Sequence, residues 1–401
     1  MTTENTEIPR FPMARRPGFD PPAEYERLRA ELPVAPVRLR HGQTAWLVTR
    51  YADVRRVLSD PARFSSDPAK PGYPQLRPVV DEAAKPGSFL VTDPPLHTKY
   101  RRILAAEFSA ARMEALRPAV TEIVDDCVDA LSAATRPADL VRHLSVPVPA
   151  RVISLLLGVP ETDREFFIDR SRRHLDRSLP ADQVGTALAE LEDYLDRLIT
   201  RRTADPGADL LSRLAVRHLR TGELTREEFV GMSVLLLVGG FETTANAIAL
   251  SVLALHEQPG QWAALVADPD RAAGAADELL RYLGLAQHGV VRAAVADVEV
   301  GGQVIKAGEG VVVALSSANR DAGHYADADR LDVCRPAGDH MTFGWGMHKC
   351  IGQHLARLEL DVVLRTLVRR TPGLRVSVPL RELEFLMDAP FYGVRELPVT
   401  W

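Results

Sequence analysis

The longest apolar stretch of the chain runs from Phe229 to Leu255 and predicts one long helix. The tetrapeptide at 225–228, Thr-Arg-Glu-Glu, has the spacing of a capping box, which marks a helix start. We expect the helix to end near Glu257, which gives a length of roughly 45 Å at 1.5 Å per residue. Because its residues are apolar on nearly every side, this helix should cross the protein core.

Apolar positions at helical spacing recur along most of the remaining chain, whereas strand-like patterns are confined to three regions. Region 34–51 alternates around a turn at 41–42, region 287–321 turns at Gly301-Gly302, and the third region is 374–401. The predicted fold is therefore mainly α with a small β-rich lobe. The shorter predicted helices are 22–32, 51–58, 93–104, 111–133, 147–157, one starting at Pro160, 183–204, 268–283 and 351–367.

No repeat or linker divides the sequence, so we predict a single domain over 1–401 with an extended N-terminal arm at 1–20. Segment 64–92 is long and broken by proline and glycine. Irregular segments of this length inside a domain are usually functional loops, and a plain surface loop is the alternative.

The overall composition is that of a soluble globular protein. Of 401 residues, 46% are hydrophobic and 26% charged, and the net charge of −5 gives no reason to expect nucleic acid as a partner. Three cysteines argue against a disulfide framework and for a reducing compartment. The N-terminus is polar and shows neither a signal peptide nor a membrane span, so we expect a cytoplasmic protein.

The middle of the long helix breaks the rules that govern the rest of it. Residues 239–244, Gly-Gly-Phe-Glu-Thr-Thr, place two glycines, an acid and two β-branched alcohols where a buried helix disfavours them. Such local conflicts point to a functional site. The glycines would permit close approach of a planar group and a local opening of the helix. Taken alone, they are equally consistent with a helix-packing notch.

A lone cysteine, Cys350, lies between a glycine-rich loop and an amphipathic helix. At a helix N-terminus its thiol should be a thiolate, which is a soft metal ligand. No second cysteine or histidine lies at zinc-site spacing, so the site fits a metal that brings its other ligands, as haem does. Cys127 and Cys334 have no such surroundings and are expected to be inert.

The run F-G-x-G-x-H-x-C-x-G-x-x-L-A-R-x-E around Cys350 resembles the haem-binding loop of the cytochrome P-450 monooxygenases. The motifs D-P-P-x-H-T-x-x-R-R, G-G-x-E-T and E-x-x-R resemble those of the same family, and all four occur in its order. The resemblance covers nearly the whole chain. It implies a cytochrome P-450 fold of the bacterial, actinomycete type with haem b as cofactor and Cys350 as its axial ligand.

The resemblance also implies roles for individual residues. Glu242 and Thr243 would be catalytic, delivering protons while dioxygen is cleaved. The pair Glu278 and Arg281, with Arg335 as third member, would be a structural ion network. The predicted haem-binding residues are His97, Arg101, Arg292, Phe343, His348, Cys350 and Gly352, of which the histidines and arginines would hold the propionates.

The substrate pocket is the least determined part of the prediction. The resemblance implies that Gly239, Val290, Val291 and Phe391 line it and that segment 64–92 roofs it. In the family the helices following Pro160 form a mobile lid, and a plain helical hairpin is an equal alternative.

The predicted reaction inserts one oxygen atom from O₂ into an apolar organic substrate, by hydroxylation or by epoxidation. The substrate would be a secondary metabolite such as a macrolide, polyketide, peptide or terpenoid. A xenobiotic-oxidising enzyme, a peroxide-driven peroxygenase and a non-enzymatic accessory haem protein are the alternatives. The intact pair at 242–243 speaks against the peroxygenase, which need not manage proton delivery to O₂.

The sequence carries no flavin or iron–sulfur motif, so electrons must come from a ferredoxin or flavodoxin with its reductase. We expect a monomer that binds neither nucleic acid nor membrane. Basic residues near the cysteine face would dock the acidic carrier, with a merely solvated basic face as the alternative. These residues are Lys99, Arg101, Arg102, Lys349 and Arg357.

Overall fold

The computed structural model of the protein describes residues 8–76, 85–176 and 178–401. Helices dominate it, as predicted. Their bounds are α1 Glu24–Glu31, α2 Tyr51–Leu58, α3 Leu96–Ala105, α4 Ala110–Glu114, α5 Arg117–Ala133, α6 Pro147–Leu157, α7 Arg164–Leu175, α8 Ala181–Ala204, α9 Leu210–Leu214, α10 Arg226–Glu257, α11 Pro259–Ala267, α12 Ala272–Leu283, α13 Leu315–Ala318 and α14 Gln353–Arg370.

Helix α10 has the predicted bounds and the predicted capping box. The Thr225 side chain accepts a hydrogen bond from the Glu228 amide, and the Glu228 side chain accepts one from the Thr225 amide. Two orphan amides at the helix start are thereby satisfied. The helix is long and apolar enough to span a membrane, but 72% of its most apolar window is buried inside the protein, as in a core helix.

The prediction of one helix over 111–133 is wrong in detail, because the chain breaks between α4 and α5. Pro118 lies in the first turn of α5, where its missing amide costs nothing. Further into a continuous helix the same proline would remove a hydrogen bond. The main hydrophobic core nearby is built by α5, α6, α8, α10, α12 and α14.

The β-rich lobe is one six-stranded sheet with the order β1-β2-β3-β9-β6-β4. The predicted hairpin is present, with Val34 of β2 opposite Val48 of β3. Strand β3 then pairs in parallel with β9, which pairs antiparallel with β6. The strands of this sheet are β1 Arg10–Phe11, β2 Val34–Leu39, β3 Thr44–Val48, β4 Phe64–Ser65, β6 Val290–Ala294 and β9 Gly310–Val313.

Two smaller sheets account for the other strands of the described residues. Strands β7 (Val298–Val300) and β8 (Gln303–Ile305) form a hairpin around the predicted Gly301-Gly302 turn. The closing β-region contributes β10 (Arg375–Val376) and β11 (Pro398–Thr400), which join β5 (Ala138–Asp139).

The described part of the N-terminal arm lies on the body of the protein. Strand β1 pairs in parallel with β2, and the Arg15 side chain is buried. Residues 1–7 of the predicted arm and 77–84 of the predicted pocket roof lie outside the described residues. After Pro160 a short 3₁₀ turn leads into α7, which packs with α8 as a helical hairpin.

Candidate functional site

The loop that carries Cys350 is held rigidly by its own backbone and by α2. The Cys350 amide donates to the Phe343 carbonyl over 2.8 Å. Gly346 has φ of +69°, a region that favours glycine, and a Cβ built there would lie 2.2 Å from the Leu58 carbonyl oxygen of α2. Glycine is therefore required for the close approach of this loop to α2.

Cys350 lies two residues before Gly352, the N-cap of α14. The amides of Gly352 and Gln353 hydrogen-bond the sulfur and lower its pKa, but burial outweighs them and raises the pKa of the thiol above its usual value. The residue is nevertheless exposed to solvent. Burial thus opposes the deprotonation that the helix end favours, and a bound metal would complete it.

The structure brings the four predicted propionate partners into one cluster. The rings of His97 and His348 lie 4.1 Å apart between centroids. Burial and the neighbouring cations Arg101 and Arg292 lower the pKa of His97 to about 4 and that of His348 to about 3. The His348 Nε2 also lies 2.9 Å from the Ser66 hydroxyl, a contact that the sequence did not predict. The two guanidinium groups of this cluster would be stabilised by an anion.

The cluster has few partners of its own within the described residues. Neither ring nitrogen of His97 has a hydrogen-bond partner there. Arg292 is only 5% exposed and donates to the Val291 carbonyl, and neither it nor Arg101 forms an ion pair with a described residue. Buried cations without counterions are costly, so a ligand that carries carboxylates fits this site.

No group of three metal-ligating side chains occurs in the described parts of the chain. A lone cysteine beside a buried cationic cluster therefore fits a prosthetic group that carries both its own metal ligands and carboxylates. Phe343, also predicted to contact the cofactor, is partly buried and packs under the Arg357 guanidinium at 4.6 Å.

Helix α10 continues without interruption through its glycines, so the helix is not opened in this structure. The Thr243 hydroxyl donates to the Gly239 carbonyl over 3.2 Å, which keeps it within the helix. The two glycines differ in their surroundings. A Cβ on Gly240 would meet Ile153 of α6 at 2.8 Å, whereas nothing lies within 4 Å of one on Gly239. Gly240 is a packing notch, and Gly239 faces open space.

Glu242 is half-buried on α10 and lies near Arg172 of α7, with 3.6 Å between Oε2 and Nε. Burial raises the pKa of the carboxyl, and Arg172 partly offsets this. Oε2 has no hydrogen-bond partner among the described residues. The site thus holds an acid with an elevated pKa beside an alcohol. Arg172 was missed because nothing in the local sequence of α7 indicates a contact with α10.

The ion network lies in the core between α12 and the loop before Cys350. Both Glu278 and Arg281 are fully buried, and the carboxylate accepts from Arg281 Nε at 2.7 Å. It also accepts from Arg335 Nε at 3.2 Å and from the Asp332 amide at 2.9 Å. Arg281 donates further to the Asn319 carbonyl. The network therefore joins α12 to the segments that lead into the cysteine loop.

The predicted pocket residues other than Gly239 lie on two adjoining segments. Val290 and Val291 begin β6 and are half-buried. Phe391 forms an isolated antiparallel bridge with Ala286, four residues before β6. The two segments are therefore neighbours.

Three of the five predicted docking cations are already neutralised. Lys99 pairs with Glu228 at 2.7 Å, and Arg102 pairs with Glu223 at 2.8 Å. Arg357 pairs with Asp277. Arg101 belongs to the internal cluster, which leaves Lys349 for docking. Its ammonium lies 5.5 Å from the Trp345 ring centroid, and Arg55 stacks on the same ring at 4.4 Å.

Comparison with known proteins decides the family. A family model described as cytochrome P450 matches residues 180–379. Cytochrome P450 105A3 of Streptomyces carbophilus is 45% identical over 398 residues, which cover 98% of this chain and 96% of the relative. This chain belongs to the cytochrome P450 family. The predicted family and fold are confirmed.

Solved structures of cytochrome P450 proteins agree with this assignment. The mycinamicin VIII C21 methyl hydroxylase of Micromonospora griseorubida, bound to mycinamicin VIII, matches with a TM-score of 0.91 and 40% identity, covering 98% of this chain and all of the other. CYP105P1 in complex with filipin I matches with a TM-score of 0.93 at 40% identity, covering 98% and 99%. The protein is a monooxygenase whose cofactor is haem with an axial cysteine thiolate.

Proposed function

We propose that Cys350 is the axial ligand and that His97, Arg101, Arg292 and His348 bind the two propionates of haem b. The supporting observation is that the buried Arg292 and the half-buried Arg101 have no ion-pair partner among the described residues, and that both ring nitrogens of His97 lack a hydrogen-bond partner there. When bound, the haem supplies the oxidising chemistry for transfer of one oxygen atom from O₂. The protein supplies the thiolate, the carboxylate-binding groups and a loop held rigidly against α2.

We propose that Glu242 and Thr243 deliver protons in this reaction. Burial favours the protonated carboxyl of Glu242, and Arg172 keeps its pKa from rising further. An acid whose pKa is shifted toward neutrality is suited to proton transfer at physiological pH. Thr243 lies next to Glu242 and one turn after Gly239, beside which there is room for a ligand.

The proposed reaction is hydroxylation of a bulky apolar secondary metabolite, in a pocket bounded by Gly239, Val290, Val291 and Phe391. Relatives support this class through their names, which include the mycinamicin VIII C21 methyl hydroxylase and pentalenic acid synthase. Vitamin D3 dihydroxylase of Streptomyces griseolus, 44% identical, is a further relative named for hydroxylation. The chain would act as one domain over 1–401.

Electron supply from a ferredoxin, with Lys349 and Arg55 at the docking face, is also proposed. We propose a cytoplasmic monomer, in line with three free cysteines. Charge reversal in Lys349→Glu should slow reduction by an acidic ferredoxin, because opposite charges steer such encounters. Arg375→Glu makes the same charge change at an exposed position of β10 and serves as control. Equal rates for both variants would contradict the docking site.

The proposed chemistry is tested by the carbon monoxide difference spectrum of the reduced protein. Wild type and Cys334→Ser, which changes an exposed cysteine, should both show the absorbance band of a haem thiolate. Cys350→Ser should lose it. Product from O₂ and reduced ferredoxin should then be compared with product from peroxide. Turnover with peroxide but not with O₂ and reduced ferredoxin would favour the peroxygenase over the proposed reaction. A wild type without the band would refute Cys350 as a thiolate ligand.

A further inference from the structure

One side chain ties the C-terminal turn of the protein to the segment before β6. The Gln287 amide nitrogen donates to the carbonyls of Leu386 at 3.0 Å, Met387 at 3.1 Å and Ala389 at 2.6 Å. Its backbone amide donates to the Pro390 carbonyl at 3.2 Å. Since a side-chain amide has two hydrogens, three acceptors must share them. One side-chain nitrogen of Gln287 therefore lies within hydrogen-bond distance of three carbonyls of the turn.

The backbone from Leu285 to Gln287 runs antiparallel to the segment that carries Phe391. Ala286 bridges to Phe391, and the Tyr392 amide donates to the Leu285 carbonyl at 2.8 Å. Three residues after Gln287 the chain enters β6 at Val290. The glutamine thus lies between the segments that carry Val290 and Phe391.

The end of the turn at Tyr392 is held separately by the N-terminal arm. The Arg15 guanidinium stacks on the Tyr392 ring at 3.7 Å and donates to the carbonyls of Leu283 and Gly284 at the end of α12. The Gly18 amide donates to the Tyr392 hydroxyl at 3.0 Å. Tyr392 is fully buried, so this end of the turn has little freedom.

The first residue of the turn is held by its backbone, since the Leu386 amide donates to the Gly393 carbonyl over 2.9 Å. Among the described residues, Gln287 is the only side chain that donates to the carbonyls of Leu386, Met387 and Ala389. Without it, these three carbonyls would lose this donor and the turn would relax between its fixed ends. Phe391, next to the fixed Tyr392, would move with the turn.

We propose that Gln287 is a positioning residue that sets the distance between the Phe391 wall and the Val290–Val291 wall of the substrate cavity. It acts through Phe391 and does not touch the substrate. The proposal rests on the proposed function, because it takes these residues as pocket walls. Gln287 thereby contributes to the selection of bulky substrates and to the site at which they are oxidised.

Two azole ligands of different size test this role in the haem-loaded protein. Imidazole reports on access to the iron alone, whereas clotrimazole also fills the space above it. Gln287→Glu keeps the shape of the side chain but replaces the donor with a carboxylate facing three carbonyls. We expect its Kd for clotrimazole to rise about tenfold, equivalent to about 1.4 kcal/mol, and its Kd for imidazole to stay within about twofold.

Trp262→Phe is the matched control, since it removes one side-chain bond to a loop carbonyl, that of Pro372, outside both pocket segments. It should leave both Kd values unchanged. If Gln287→Glu does not retain haem, Gln287→Met removes the donors without adding a charge. The proposal is overturned if clotrimazole binding in the variant equals that of wild type, or if both azoles weaken equally. A wild type without the carbon monoxide band would instead refute the proposed function.

Discussion

Truncating the central carboxylate of the ion network should destabilise the protein strongly without touching the chemistry. Glu278→Ala removes the acceptor of Arg281 Nε, Arg335 Nε and the Asp332 amide. Since Glu278 and Arg281 are fully buried, the variant leaves an uncompensated guanidinium in the core. Removal of one partner of a buried pair typically costs about 3–5 kcal/mol.

This cost converts to a measurable shift in melting temperature. The entropy of unfolding is about 2.1 cal/mol/K per residue, or about 0.8 kcal/mol/K for a chain of this length. A loss of about 4 kcal/mol then lowers the Tm by about 5 °C. Far-ultraviolet circular dichroism of the haem-loaded protein during heating measures it.

A surface pair provides the matched control for this measurement. Glu384 pairs with Arg395 at 2.7 Å, and both side chains are more than half exposed. Because exposed pairs contribute little, Glu384→Ala should lower the Tm by less than about 1 °C. Glu278→Gln, which keeps one acceptor, should fall between the two. If Glu278→Ala and Glu384→Ala had the same Tm, the network would not support the cysteine loop.

Three further changes test other parts of the site. Gly346→Ala should release haem faster than Gly344→Ala, because only the first Cβ clashes with a carbonyl of α2 although both glycines have positive φ; equal release would contradict this. Burial raises the pKa of Glu359, so the folded protein keeps a proton that the unfolded chain loses above about pH 4.5. Wild-type stability should therefore fall as the pH rises above that value, and the Tm advantage of Glu359→Gln should grow from pH 5 to pH 8. Arg172→Leu should raise the pKa of Glu242 and shift the pH profile of product formed per electron consumed to higher pH, whereas an unchanged profile would exclude Arg172 from this role.

Local signals determined which parts of the fold could be predicted. The bounds of α10 follow from a capping box and a continuous apolar run, both of which are readable without tertiary contacts. The break before Arg117 could not be predicted from periodicity, because the helical pattern continues across it and only Pro118 marks the new start. The glycine pair was predicted to act as a unit, and only the packing of Ile153 against Gly240 separates their roles.

The residues of the candidate site divide in the same way. Those within family motifs, such as His97 and His348, were named from the sequence, and the structure places them side by side. Ser66, Arg172 and Gln287 were not named, because each acts through a partner far away in the chain. The ion pairs of Lys99 and Arg102 were not predicted for a related reason, since Glu228 and Glu223 come from distant parts of the chain.

The carboxylate of Glu228 does more than close the first turn of α10. It accepts hydrogen bonds from the side chains of Lys99 and Tyr100 of α3. The Tyr100 hydroxyl in turn accepts a hydrogen bond from the Gly87 amide. These bonds prevent α10 from sliding along its axis. Thr243 lies fifteen residues further on, about 22 Å at 1.5 Å per residue. One residue inserted between them would turn the Thr243 hydroxyl by about 100° around the helix. Relatives should therefore vary here by substitution and keep this spacing free of insertions and deletions.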